Sequence, residues 1–429
     1  MKANIPETTQ KRVVIVGGGF GGLKLARKLS KQNFQVVLLD KNNYHQFQPL
    51  FYQVATAGLE PSAISFPLRK IFQKENNVII RLVEVTSVNP KESCVVSEIG
   101  KINYDYLVVA IGADTNFFGN EKIRNNSLPM KSISEALSIR NKILQNYEDA
   151  LSIEDVQEQQ AYMNIVVVGG GPTGVEIAGT LAEMKKHILP KDFPELKFDR
   201  MQIYLLEASP KLLSGLSQKS SEKAKEYLGK LGVNVRLQTR VKDYDGEQIF
   251  LEDGSMIHSK TLIWAAGVMG NKLEGIPQEV LVRGNRIKVD RFNRMEGSEN
   301  IFAVGDIAFM TEEKYPNGHP QVAQVAMQQA ENLANNLTNI SKNKEMKSFV
   351  YKDLGSMATV GRNLAVVDLP FMKTQGFFAW LIWMFVHLMS IVGAKNRLMI
   401  FINWAWNYIT YDQSLRLIIR SSKKDKSDQ

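Results

Sequence analysis

Cys94 is the single cysteine of this 429-residue chain. That scarcity excludes a disulfide framework, a cysteine metal site and any reductase that works through a redox-active cysteine pair. Cys94 itself reads as a small packing residue in the β-rich stretch 93–97. The N-terminus also lacks an apolar run. Residues 1–10 are polar and Val13–Val16 forms a strand, so no secretory signal is expected. Negative charge is in deficit, with 53 Lys and Arg against 44 Asp and Glu, a formal net charge of +9. No nucleic-acid motif accompanies that excess. The basic residues near the C-terminus lie beside aromatic, apolar sequence, so an anionic lipid surface is the expected partner and nucleic acid is not. A bundle of charged membrane helices is absent as well, and proton pumping is not expected.

What is abundant is glycine in two particular places. Val13-Val14-Ile15-Val16 runs into Gly17-Gly18-Gly19-Phe20-Gly21-Gly22, and Ile165-Val166-Val167-Val168 runs into Gly169-Gly170-Gly171-Pro172-Thr173-Gly174. Each is a β-branched strand feeding a GxGxxG turn and then a helical pattern. Gly17 and Gly169 allow the tight turn, Gly19 and Gly171 admit a pyrophosphate, and Gly22 and Gly174 let helix and strand pack closely. The helix N-terminus then offers free N–H groups to the phosphates. One such motif is a weak signal; two, 152 residues apart and each in strand–turn–helix context, are strong. Aligning 13–26 on 165–178 also matches Val14 with Val166, Val16 with Val168 and Ala26 with Ala178, as duplicated Rossmann units would. Two dinucleotides in one chain imply electron transfer between them.

An acid ending the second strand of such a unit accepts hydrogen bonds from adenosine ribose hydroxyls. Asp40 stands 23 residues after Gly17 and fits that role. Glu207, ending Ile203-Tyr204-Leu205-Leu206, stands 38 after Gly169, a longer gap that the polar stretch Lys185–Arg200 explains as an insertion. A carboxylate at Glu207 would repel a 2′-phosphate and favour NADH over NADPH, with Lys211 nearby as the opposing feature. Glu176 occupies the position of Lys24 in the repeat, in the first turn of the second helix. It either complements the helix dipole or sits beside a nicotinamide ring. Asp306 follows Val304-Gly305 at the end of an apolar strand, where a carboxylate can hold a sugar-alcohol chain. Gln324 and Gln328 are i,i+4 and share a helix face; on spacing alone they read as a polar solvent-facing stripe, though their neutral amides also suit flavin carbonyls and quinone oxygens.

These features divide the chain into a flexible tail (1–10), a first dinucleotide-binding part (11–160), a second dinucleotide-binding domain (161–285), a return to the first (286–365), a membrane-attachment region (366–420) and a basic tail (421–429). Residues 374–394 carry no charge over 21 positions, long enough to span a bilayer. Along 396–414, however, Asn396, Asn403, Asn407, Thr410 and Ser414 fall at spacings of 7, 4, 3 and 4, one narrow polar stripe on a helix. Its other faces carry Leu398, Ile400, Phe401, Trp404, Trp406 and Tyr408, with Arg397, Arg416 and Arg420 flanking. That pattern predicts a helix lying in the membrane interface; burial in a homodimer interface is the alternative.

The sequence resembles the type II NADH dehydrogenases, single-chain flavoproteins of the two-dinucleotide-binding-domain superfamily built like glutathione reductase. The likeness extends over roughly 11–420. It rests on Asn43-Tyr44-His45-Gln46-Phe47-Gln48-Pro49-Leu50, Trp264-Ala265-Ala266-Gly267, Ala303-Val304-Gly305-Asp306, Ala323-Gln324-Val325-Ala326-Met327-Gln328-Gln329 and the aromatic C-terminus. It implies an α/β fold: a discontinuous FAD domain, an inserted NADH domain, and a C-terminal amphipathic helical region that attaches to the membrane. It places noncovalent FAD on the first fingerprint, with Asn43, Val85 (at the adenine), Ala110, Gly112, Asp306 (at the ribitol), Ala323, Gln324 and Lys373. NADH falls on the second, with Glu176, Glu207, Ala266 and Gly267. Glu176, Gln324 and Gln328 become the expected catalytic residues, the two glutamines on the side where quinone reaches the flavin. The implied reaction passes a hydride from NADH to flavin and then two electrons to membrane quinone, on the cytoplasmic face of the cell membrane. Alternatives are a related reductase with a non-quinone acceptor and a non-enzymatic NADH-binding membrane protein.

Overall fold

The computed structural model describes residues 3–410 and 415–419. The chain forms two compact units. One comprises 1–46, 65–114 and 268–354, and the other 47–64, 115–267 and 355–429. The divisions fall at 267/268 and 354/355, not at the expected 285/286 and 365/366. Residues 115–163 also belong with the second unit, because Leu128–Pro129 joins its sheet as an edge strand.

In the first unit Arg12–Val16 is the middle strand of a five-stranded parallel sheet. The order is Ile301–Ala303, Tyr106–Val109, Arg12–Val16, Gln35–Asp40 and Val78–Leu82. Its strands are covered on both faces, which is why they read as continuous Val, Ile and Leu. Helix α1 (Phe20–Leu29) leaves the glycine turn and packs against a later helix, Ala323–Ser341. A three-stranded antiparallel ladder, Val85–Asn89, Cys94–Ser97 and Gly100–Asn103, adds Val88, Val95 and Ile102 to the same core. Cys94 is buried there.

The second unit repeats the arrangement strand for strand: Leu128–Pro129, Leu262–Trp264, Ile165–Val168, Ile203–Leu206 and Val233–Arg236, all parallel. A short helix, α2 (Phe51–Ala55), belongs to this unit. Val156–Met163 is a short helix, and it follows a break after the longer helix Ile133–Ala150. Ser132 caps the longer one by accepting the Glu135 amide at 3.2 Å, while Glu135 reaches back to the Lys131 amide at 2.6 Å.

Helix α3 (Pro172–His187) leaves the second glycine turn and lies against the strand Ser356–Gly361. The approach is so close that a Cβ on Gly179 would stand 1.6 Å from the Val360 carbonyl oxygen. Ser356–Gly361, Leu364–Leu369 and Met372–Gln375 form an antiparallel sheet. With α4 given to Ala323–Ser341 of the first unit, two C-terminal helices follow: α5 (Phe377–Ser390) and α6 (Ala394–Thr410).

The uncharged run is therefore broken. Helix α5 has 14 residues, about 21 Å of helix, against a hydrocarbon core about 30 Å thick. Among the described residues no helix is long and apolar enough to cross a membrane. The polar stripe of α6 turns inward: Asn396 donates to the Ser62 and Ala63 carbonyls at 3.2 Å, and Asn407 to the Gly58 carbonyl at 3.3 Å. Ile400 and Trp404 are buried, while Leu398, Phe401, Ile402, Trp406 and Ile409 face outward. Ser414 and Arg420 of the expected stripe and its flanks, and the tail 421–429, lie outside the described residues.

Candidate functional site

Each glycine turn is shaped by backbone geometry only glycine tolerates. Gly17 has φ +104° and Gly169 φ +109°, and a Cβ on them would meet the Ala110 carbonyl oxygen at 2.4 Å and that of Ala265 at 2.6 Å. Cβ atoms on Gly22 and Gly174 would reach 1.8 and 1.9 Å from the Gly17 and Gly169 carbonyl oxygens. Nothing lies within 4 Å of the Cβ position of Gly19 or Gly171. Both turns thus keep an open cradle over a helix N-terminus, shaped for a pyrophosphate.

The strand-end acids are set alike. Asp40 accepts the Gly18 amide at 2.5 Å on Oδ2 and the Asn42 amide at 2.6 Å on Oδ1. Glu207 accepts the Gly170 amide at 2.5 Å on Oε2 and the Ser209 amide at 2.6 Å on Oε1. The long gap before Glu207 therefore leaves its position intact. Each carboxylate has about four acceptor sites, so each could still accept from two further donors of a ligand. Burial raises the Asp40 carboxyl above its ordinary pKa against the pull of its two amides.

The first unit holds most of the other residues expected on the flavin side. Ala110 lies against Gly17, and Gly112 adopts φ +69° with open space above it. Val85 is half-buried at the start of its ladder, and Asn43 is exposed, its carbonyl taken by the Leu68 amide. Asp306 is half-buried next to buried Arg286, which donates to the Ala308 carbonyl at 2.6 Å. Gln324, just after Ala323 at the start of α4, accepts the Leu354 amide at 3.3 Å. Gln328 pairs both ends of its amide with Lys352, at 2.9 and 3.0 Å.

Two residues without an assigned role also brace this site. Gln329 is buried and accepts the Gly305 amide at 2.8 Å, fixing the turn that carries Asp306. His45 is buried with Nδ1 3.0 Å from the Gly18 carbonyl and its ring edge-on to Phe20, so it braces the first turn. Burial lowers its pKa. Both sit inside motifs quoted above, but neither motif tells which way its side chains point.

In the second unit Glu176 departs from its repeat partner. Lys24 is partly exposed and paired with Glu331 at 3.1 Å. Glu176 is 7% exposed, and the Thr359 amide donates to it at 3.5 Å. Burial, opposed by that amide, pushes its pKa up to about 8. At neutral pH the carboxyl is protonated and can donate a hydrogen bond. Ala266 and Gly267 end the strand beside the turn. Gly267 has φ +70°, and the Trp264 indole donates to the Asn116 carbonyl at 2.9 Å. Lys373 is exposed on the C-terminal sheet, opposite Asp368. His387 lies under Trp383 with ring centroids 4.0 Å apart, and burial lowers its pKa to about 4, which makes it a packed neutral ring.

The arrangement has close counterparts among known proteins. Residues 11–330 match the pyridine nucleotide-disulphide oxidoreductase family, and 354–410 match the NDH2 C-terminal domain, which begins where the second unit resumes. The type II NADH:quinone oxidoreductase Ndh of Mycobacterium tuberculosis is 35% identical over 418 residues, 93% of this chain and 88% of that protein. The type II NADH:quinone oxidoreductase of Haemophilus influenzae is 30% identical over 392 residues, covering 84% and 87%. The structure of NDH2 from Plasmodium falciparum in complex with NADH shares the fold, with a TM-score of 0.87 at 24% identity over 96% of this chain and all of that one.

Proposed function

Because this chain belongs to the type II NADH:quinone oxidoreductases, we propose that it oxidises NADH through a noncovalent FAD and reduces membrane quinone without pumping protons. The observation that carries the reading is the pair of matching cradles, each with an open second glycine and a strand-end acid that keeps two acceptor sites. The first cradle, with Asp40 and Asp306, holds FAD; Asn43, Val85, Ala110, Gly112, Ala323, Gln324 and Lys373 complete its surroundings. The second, with Glu207, Ala266 and Gly267, holds NADH and disfavours a 2′-phosphate. Bound flavin supplies the two-electron relay between nicotinamide and quinone.

The protein's own groups orient the reactants and hold a proton. Glu176, protonated at neutral pH, presents a hydrogen-bond donor beside the nicotinamide. Gln324 and Gln328 serve the quinone side and, through their bonds to Leu354 and Lys352, fix the chain leading into the C-terminal sheet. The outward residues of α5 and α6, among them Phe378 at 72% and Ile409 at 78% exposed, attach the protein to one leaflet on the cytoplasmic side. Exposed apolar area on this scale marks an interaction surface.

NADH oxidation with a short-chain quinone tests the reading, with NADPH and sulfide as controls. Turnover with NADH and quinone, much lower with NADPH, is expected. A folded protein that takes up no flavin would sink it.

A further inference from the structure

In the second unit the chain turns sharply at Phe117-Phe118-Gly119-Asn120, where the Asn120 amide donates to the Phe117 carbonyl at 3.0 Å. Phe118 has φ +52° and Gly119 φ +80°. Positive φ at both central residues is what a type I′ turn demands, and Asn-Gly is the pair that suits it. Gly119 fits. Phe118 does not, because an aromatic side chain in the left-handed region crowds its own backbone. Its ring is also 69% exposed. One position thus carries backbone strain and uncovered apolar surface together.

The turn is held in place from several sides. Asn116 accepts the Phe118 amide on Oδ1 at 2.8 Å, donates its own amide to the Gly267 carbonyl at 3.3 Å, and accepts the Trp264 indole on its carbonyl at 2.9 Å. Asn120 caps the short helix Glu121–Asn126 by accepting the Ile123 amide at 2.9 Å, and donates to the Lys242 carbonyl at 3.1 Å. The two phenylalanines divide the work. Phe117 is half-buried, stacked on Trp264 with the Arg124 guanidinium 5.5 Å from its ring. Phe118 meets Trp264 edge-on and rests its rim on Gly267, where a Cβ would stand 2.7 Å from its Cζ.

Strand order says what comes to lie against that ring. Ile165–Val168 runs between Ile203–Leu206, which leads to Glu207, and Leu262–Trp264, which leads to Ala266 and Gly267. The glycine turn follows the middle strand. A dinucleotide with its pyrophosphate on that turn and its adenosine ribose at Glu207 therefore has its other half on the Gly267 side. We propose that Phe118 is a substrate-binding residue whose ring packs against the nicotinamide riboside half of NADH. This rests on the NADH reading above. The ligand covers a phenyl ring that the protein leaves bare, and the strained backbone is what aims that ring past Gly267. Strain of this kind persists where a functional site requires it.

The test is Phe118→Asn in the full-length flavoprotein, with NAD⁺ and ADP-ribose as probes of the oxidised protein by titration calorimetry. NAD⁺ affinity is expected to weaken about tenfold, the size of one aromatic contact. ADP-ribose, which has no nicotinamide, is expected to bind as it does to wild type. The KM for NADH should rise with kcat retained, the mark of lost ground-state binding. Flavin content should not change, and the melting temperature should hold or rise, because Asn-Gly suits the turn. Phe118→Tyr, which keeps a ring, should bind NAD⁺ as wild type does. Unchanged NAD⁺ affinity in Phe118→Asn, equal weakening of both probes, or a lower melting temperature with affinity intact overturns the assignment. A wild type that binds neither probe overturns the assignment and the NADH reading together.

Discussion

The turns at Gly17 and Gly169 match in φ, in the contacts that forbid a side chain, and in the acid that closes them. The helices leaving them meet opposite surroundings. On α1, Lys24 reaches solvent and Glu331 of α4. On α3, the equivalent Glu176 is buried against the Ser356–Gly361 strand and stays protonated at neutral pH. The turn geometry is thus the same in both units. What differs is the layer each helix packs on: a second helix in the first unit, an antiparallel sheet in the second. A buried carboxylic acid exists only where that sheet excludes water.

Substitutions at the closest glycine contacts should break the comparison most sharply. Gly22→Ala and Gly174→Ala each force a Cβ into a carbonyl oxygen, and each should cost several kcal/mol, in the range of severe core mutations. Gly22→Ala is expected to lose flavin, read by the visible spectrum. Gly174→Ala is expected to keep flavin and lose NADH-driven reduction. Equal loss of both activities in both variants would show that the cradles are not separately dedicated.

Glu176→Gln should act next most strongly. Its folded pKa, about 8, lies above the ordinary 4.5, so its contribution to stability is intact below about pH 4.5 and is lost as pH rises through 8. Wild-type melting temperature should therefore decline across that window, and the glutamine variant should decline less. Lys24→Ala should leave the slope unchanged.

Smaller effects separate the two acids. Asp40→Ala should weaken flavin binding through lost charge-assisted hydrogen bonds, about 1.5–3 kcal/mol each, measured by flavin release on dilution. Glu207→Gln should narrow the preference for NADH over NADPH with flavin retained. Smallest of all, Lys24→Ala should change stability by about 0–1 kcal/mol, as an exposed ion pair does.

Much of this was readable in the residues because its physics is local. A GxGxxG turn needs its glycines at fixed offsets, and a strand-end acid must follow the second strand. The non-local part was not readable. Gln329 and Gln328 are neighbours in a polar helix, yet one is buried under Gly305 and the other pairs with Lys352. The α6 asparagines show helical spacing, but only the position of residues 58–63 reveals that they face inward. Gly179 looks like a weak point in a helix until the Val360 carbonyl appears 1.6 Å from its Cβ position.

The most direct test of the account follows the flavin through both halves of the cycle without oxygen. Purified protein is mixed with NADH in a stopped-flow spectrometer, and the reduced protein is then mixed with a short-chain quinone. The account predicts loss of the flavin absorbance by NADH, far slower loss with NADPH, and full recovery on quinone in one two-electron step. Gln324 and Gln328 variants should slow the recovery alone. A flavin that NADH does not bleach, or that quinone does not restore, would contradict it.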